Sequence, residues 1–133
     1  MSENAGFPIY PSANYMEKMV KIHRNKINVQ AIDKLVDFMA SKNNPNAENM
    51  LNRLAYLLFK IDQVKAEKYF SKAVKLFPNS ANSWDSLGEF YEKTNKPKKA
   101  KAAYQKAVEL SQKHHLENQK LFINNLNRIK NEM

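Results

Sequence analysis

Apolar residues along this chain are spaced as they are in amphipathic helices. From Ser12 onward they recur at intervals of three and four positions, which places them on one face of an α-helix. Polar or helix-breaking positions interrupt the pattern near Asn25, at 43–46, near Asp62, at 78–80, at 94–97 and near His114. The breaks predict seven helices, and their short connections favour antiparallel neighbours.

The chain also repeats itself at an interval of 34 residues. Residues that superimpose at this interval agree in size and character: Ala66 with Ala100, Phe70 with Tyr104, Ala73 with Ala107, Val74 with Val108, and Met50 with Trp84. A repeat of this length predicts one structural unit used twice.

Each copy carries a recognisable residue pattern. The second reads Trp84-x2-Leu87-Gly88-x2-Tyr91, then Ala100-x3-Tyr104-x2-Ala107, and the first contains Ala66-x3-Phe70-x2-Ala73 and closes with Pro78. In period and pattern the chain resembles the tetratricopeptide repeat family. The resemblance implies an all-α fold, a right-handed superhelical stack of antiparallel helical hairpins (a TPR-like α-solenoid) with a C-terminal capping helix.

The repeated pattern has a physical meaning of its own. Small residues stand where the two helices of a hairpin must approach closely, as at Gly88, Ala100 and Ala107. We expect Trp84, Tyr91 and Tyr104 to fill the space between successive hairpins. Pro78 cannot continue a helix, and Ser80 can cap the next one.

These patterns divide the chain into five segments of one domain. We predict an extended arm or linker at 1–11, a degenerate hairpin at 12–46, repeats at 47–80 and 81–114, and a capping helix at 115–133. The capping helix has one apolar stripe, formed by Phe122, Leu126, Ile129 and Met133.

The composition argues against several classes of site. Two glycines and no cysteine leave no glycine-rich phosphate loop, disulfide, thiolate zinc site or cysteine nucleophile. His114 and His115 diverge on a helix, which disfavours a shared metal ion. With no serine in a nucleophile-elbow setting and no carboxylate pair on an apolar face, we predict no enzyme, cofactor or metal.

Location follows only in outline. Without an apolar run long enough to span a bilayer or an export signal, we expect a soluble protein, cytoplasmic as the chain stands or periplasmic if it was cut from an exported parent.

The net charge of +9 introduces a rival function. It is concentrated in a run of lysines without an intervening acid, namely Lys93, Lys96, Lys98, Lys99, Lys101 and Lys106. Such a run could neutralise nucleic-acid phosphates, although exposed lysines are usually just solvated. Nucleic-acid binding is therefore a lesser alternative.

The resemblance implies that the first helix of each hairpin lines a concave groove. It places Glu48, Leu51, Asn52, Ala55, Leu58 and Phe59 there from the first copy, and Asn82, Asp85, Ser86, Glu89 and Glu92 from the second. The groove is then apolar at one end and acidic at the other. It would suit a peptide with apolar anchors and a basic end.

Other interpretations of the groove stay open. Leu51, Leu58 and Phe59 could simply pack on the preceding hairpin, and the arm from Phe7 to Tyr15 could fill the groove. Asn52 matches the central asparagine of the family's clamp for chaperone C-termini, but the other clamp positions differ, so that ligand is not supported.

The resemblance favours a module that binds a protein or peptide, with an unknown oligomeric state. The stretch from Glu48 to Leu110 also resembles repeat tails that follow the catalytic domain of some bacterial esterases. That likeness implies an alternative, an accessory domain of a larger hydrolase that grips its own parent chain.

Overall fold

The computed structural model describes residues 29–133, which form six helices and no strand. They are α1 Val29–Ser41, α2 Asn46–Phe59, α3 Gln63–Leu76, α4 Ala81–Lys93, α5 Pro97–Lys113 and α6 Gln119–Glu132. The first predicted helix and the predicted arm at 1–11 lie outside the described residues. The division of the chain at residues 11, 46, 80 and 114 stays a prediction.

Local chemistry explains where the helices begin and end. The Asp62 carboxylate accepts hydrogen bonds from the backbone N–H groups of Val64 and Lys65, at 3.1 and 3.2 Å, and caps α3. Ser80 caps α4 as the sequence predicts, by accepting from the N–H of Ser83 at 3.2 Å. Asn95, with φ of 62°, reverses the chain after α4, since asparagine tolerates the left-handed conformation.

The helices pack as hairpins, α2 with α3 and α4 with α5, in an all-α solenoid. Close approach within the second hairpin depends on Gly88 of α4. A Cβ atom at Gly88 would lie 2.6 Å from Cδ1 of Tyr104. The predicted small positions Ala66, Ala73, Ala100 and Ala107 are all fully buried.

Aromatic side chains join one hairpin to the next. Phe70 of α3 contacts Tyr56 of its own hairpin and Phe90 of α4, with ring centroids 4.9 and 5.3 Å apart. Trp84 is half-buried between the two hydrophobic clusters of the core, and its Nε1 donates to the carbonyl of Pro78. Tyr104 departs from the expectation, because its ring lies against Gly88 inside its own hairpin.

The last helix closes the stack. Phe122, Leu126 and Ile129 of α6 are buried in the same cluster as Ala107 of α5. Met133, the fourth member of the predicted stripe, lies beyond the end of α6 and is 54% exposed. Within residues 29–133, each helix is too short or too polar to span a bilayer.

Candidate functional site

The first helices of the hairpins and the capping helix are connected by a row of polar contacts. We call the surface formed by α2, α4 and α6 the first-helix face. Glu48 of α2 accepts hydrogen bonds from Ser80 and Ser83 at the start of α4. Two helical turns further along α2, the Tyr56 hydroxyl donates a hydrogen bond to Glu89 of α4 at 2.6 Å. The row continues from α4 to α6.

The apolar end of the predicted groove is closed in this structure. Leu51, Ala55 and Leu58 are 0%, 0% and 2% exposed, and they belong to the buried cluster that includes Val36 and Met39 of α1. Phe59 is half-buried and meets Phe90 edge-on at 5.4 Å. Leu51, Ala55 and Leu58 therefore pack in the core and present no free surface to a ligand.

Asn52 is the exception among the buried groove residues. It is 6% exposed, and neither its Oδ1 nor its Nδ2 has a hydrogen-bond partner within the described part of the chain. Asn52 lies one turn after Glu48 and one turn before Tyr56, so all three share one face of α2. Since Glu48 and Tyr56 both reach α4, the face of α2 that carries Asn52 is turned towards α4.

The acidic end of the predicted groove is present, but α6 covers it. Asp85 accepts a hydrogen bond from Nδ2 of Asn125 at 2.9 Å, and Glu92 accepts from Nε and Nη2 of Arg128 at 3.0 and 2.8 Å. Glu89 is held by Tyr56 and, at 2.9 Å, by Lys93. Asn82 is exposed, whereas Ser86 is buried.

The three carboxylates therefore differ in their electrostatics. The pKa of Asp85 is raised, because the effect of burial exceeds that of the hydrogen bond from Asn125, which lowers the pKa. Burial alone would also raise the pKa of Glu89, but hydrogen bonds from Tyr56 and Lys93 bring it below its ordinary value. The Arg128 guanidinium lowers the pKa of Glu92 to about 2. Of these three carboxylates, Asp85 alone has no cation within ion-pair distance among residues 29–133.

Sequence reasoning missed Tyr56, Asn125 and Arg128. Tyr56 is adjacent to the predicted Ala55, and a one-residue shift on a helix moves a side chain by about 100°. Asn125 and Arg128 stand beside the apolar stripe of α6, at positions that the stripe does not mark. Their spacing of three positions puts them on one face, a signal that could have marked them as partners of an acidic helix.

The lysines of the rival interpretation lie at the turn between α4 and α5 and along α5. All six are exposed. Lys93 pairs with Glu89, and Lys96 and Lys99 lie over the ring of Tyr91. Part of the lysine run is therefore engaged in contacts within the chain. Nucleic-acid binding through these lysines stays a prediction.

A depression borders the start of the first-helix face at Glu48. It has a volume of about 700 Å³ and lies between the ends of α1, α2 and α3. Its two carboxylates are engaged, Asp37 by Lys72 at 3.0 Å and Glu48 by Ser80 and Ser83. Residues 29–133 contain no group of three or more potential metal-ligating His, Cys, Asp or Glu side chains.

Ionised Glu92 should make the docking of α6 dependent on pH. Its pKa in the folded chain, about 2, is below the ordinary 4.5, so the stabilisation is complete above pH 4.5 and is lost as the pH falls towards 2. Between about pH 6 and about pH 3, we expect the wild type to lose about 1 kcal/mol more unfolding free energy than Glu92→Gln, after allowance for solvent screening. Urea unfolding at both pH values measures the difference. Equal losses would contradict this role of Glu92.

Parts of this chain are similar to known proteins. Models of the tetratricopeptide repeat match residues 51–80 and 81–114. A TPR repeat-containing protein of Dictyostelium discoideum is 44% identical over 43 residues, a match that spans 32% of this chain and 16% of that protein. The crystal structure of MamA covers 90% of this chain, and 87% of the MamA chain is covered, at 18% identity and a TM-score of 0.41. Residues 51–114, which form two helical hairpins of an all-helical stack, are therefore two tetratricopeptide repeats.

Proposed function

We propose that this chain binds a peptide segment of a partner protein in the crevice between α2 and α4, with Asn52 hydrogen-bonding to the peptide backbone. Its repeats are those of a protein-interaction scaffold, a fold that is typically non-catalytic. The partner we expect has an extended or helical segment with a basic end, which suits the acidic residues Asp85, Glu89 and Glu92.

Asn52 carries this proposal. Its amide is buried and has no hydrogen-bond partner among residues 29–133. An unsatisfied buried amide costs about 1–3 kcal/mol, so folding alone does not favour an asparagine here. A peptide backbone offers both a carbonyl for Nδ2 and an N–H for Oδ1, which would satisfy the amide completely.

The surroundings of Asn52 support the same placement. Glu48 and Tyr56 hydrogen-bond α2 to α4 one turn before and one turn after Asn52, so a peptide reaches the buried amide by parting these contacts. The apolar groove residues Leu51, Ala55 and Leu58 of the same helix are buried in the hydrophobic core. A preorganised polar group in an apolar setting makes strong and specific hydrogen bonds.

Replacing Asn52 should change stability and binding in opposite directions. Leucine has the same branching and number of side-chain heavy atoms as asparagine and removes the unsatisfied amide, so Asn52→Leu should raise the free energy of unfolding by about 1 kcal/mol. The same change removes the hydrogen bonds to the peptide and should weaken binding at least about tenfold. A phage library of random 12-residue peptides supplies the ligands, and calorimetry measures their affinity.

Asn49→Leu is the matched control, because Asn49 is exposed on the same helix. It repeats the chemical change without touching the crevice and should leave peptide affinity unchanged. Peptides that bind wild type and Asn52→Leu equally would contradict the proposal. So would a loss of stability in Asn52→Leu, because it would show that the amide has a structural partner.

A further inference from the structure

The capping helix contributes a basic side chain to the acidic end of the first-helix face. Arg128 of α6 donates two hydrogen bonds to Glu92, from Nε at 3.0 Å and from Nη2 at 2.8 Å. Its guanidinium also lies 6.0 Å from the centre of the Tyr104 ring. This paired geometry, over an aromatic ring, is the one that an arginine of a ligand would adopt.

Arg128 is more exposed than the side chains that anchor its helix. The helix is anchored by buried side chains at Phe122, Leu126 and Ile129, but the Arg128 side chain is 47% exposed. Glu92, in contrast, has a side chain that is only 16% exposed and is also hydrogen-bonded by the Tyr104 hydroxyl at 2.7 Å. Arg128 also lies 3.4 Å from the Tyr104 hydroxyl and 3.9 Å from Glu132, but it is the more exposed partner of the Glu92 pair, and the apolar packing of α6 does not include it.

Asp85 lies on the same face of α4 as Glu92 and can accept further hydrogen bonds. It is two helical turns before Glu92, and its only hydrogen bond within the described residues comes from Asn125. Asn125 in turn accepts a hydrogen bond from Nη1 of Arg128 at 2.8 Å. Movement of Arg128 would thus release Glu92 and one side of Asn125 together.

From this geometry we infer that Arg128 is an intramolecular competitor for basic ligands, and that a guanidinium group of the bound peptide replaces it on Glu92. The inference rests on the proposed function and adds the chemistry of one subsite. It assigns an arginine of the ligand to the end of the crevice that α6 covers. It also implies that the chain binds such ligands more weakly than its carboxylates alone would allow.

Arg128→Gln tests the competition. Random 12-residue peptides are selected in parallel on wild type, Arg128→Gln and Lys130→Gln. Affinities are then measured for the selected peptides that contain arginine and for copies of them with glutamine in place of arginine. The Arg128→Gln chain should bind the arginine-containing peptides about tenfold more tightly than wild type, a typical coupling between competing groups. The glutamine copies should show no such gain.

Lys130→Gln is the matched control, since it removes the same charge from an exposed position on the same helix. It should bind as wild type does. Adding Glu92→Gln to Arg128→Gln should abolish the gain, and circular dichroism checks that each variant keeps its helices. Equal affinities for wild type and Arg128→Gln, an equal gain in Lys130→Gln, or failure of Arg128→Gln to select arginine-containing peptides would each overturn the inference.

The result is distinguishable from failure of the proposed function. If Asn52→Leu abolishes binding while Arg128→Gln has no effect, the crevice is the site and the competition is wrong. If Arg128→Gln strengthens binding that Asn52→Leu leaves intact, the competition is supported and the role of Asn52 is wrong.

Discussion

Gly88→Val is expected to lower the free energy of unfolding by about 3 kcal/mol, the upper part of the range for overpacked cores. A Cβ at Gly88 would lie 2.6 Å from Cδ1 and 2.8 Å from Cε1 of Tyr104, well inside contact distance. The Tyr104 ring cannot simply move aside, because it is 1% exposed and its hydroxyl is bonded to Glu92. Urea unfolding followed by circular dichroism measures the loss.

Ala102→Val controls for the cost of a β-branched residue in a helix. Ala102 is exposed on α5, so this change should cost only about 0.5 kcal/mol. In a double-mutant cycle, Gly88→Val and Tyr104→Ala should cost less together than the sum of the two alone. If Gly88→Val were as mild as Ala102→Val, the close approach of α4 and α5 would be wrong.

Phe70→Ala is expected to cost about 4 kcal/mol, as is typical when a buried phenylalanine is truncated. The Phe70 ring is fully buried and contacts Tyr56 within its hairpin and Phe90 of the next. Its loss should therefore leave a cavity and weaken the junction between α3 and α4 as well as the first hairpin. Urea unfolding gives the stability, and hydrogen exchange shows which helices lose protection.

Val64→Ala is the control on the same helix, because Val64 is 81% exposed. It should change the free energy of unfolding by less than about 0.5 kcal/mol. A loss for Phe70→Ala no larger than this, or one whose exchange effect stays within α2 and α3, would contradict the role of Phe70 as a bridge between hairpins.

Most of the described architecture follows from local patterns in the sequence. The 34-residue interval and the small residues Ala66, Ala73, Ala100 and Ala107 specified the hairpins, because a small side chain at a crossing point is both a sequence feature and a packing constraint. Helix ends were predictable where capping chemistry is local, as at Ser80.

The candidate site was less predictable because its contacts join distant residues. Asn125 meets Asp85 across 40 positions, and Arg128 meets Glu92 across 36. No periodicity of α6 alone reveals which carboxylates it will face. Likewise, the burial of Leu51, Ala55 and Leu58 depends on neighbouring helices, so a groove assigned by repeat position overestimated the apolar surface.

The side-chain amide of Asn52 reports directly on whether a ligand backbone completes its hydrogen bonds. Its two amide protons can be assigned in a ¹H–¹⁵N spectrum by their disappearance in Asn52→Leu. We predict that a selected peptide, added to saturation, shifts these signals and slows their exchange with water. Unmoved Asn52 signals in the saturated complex would contradict the account.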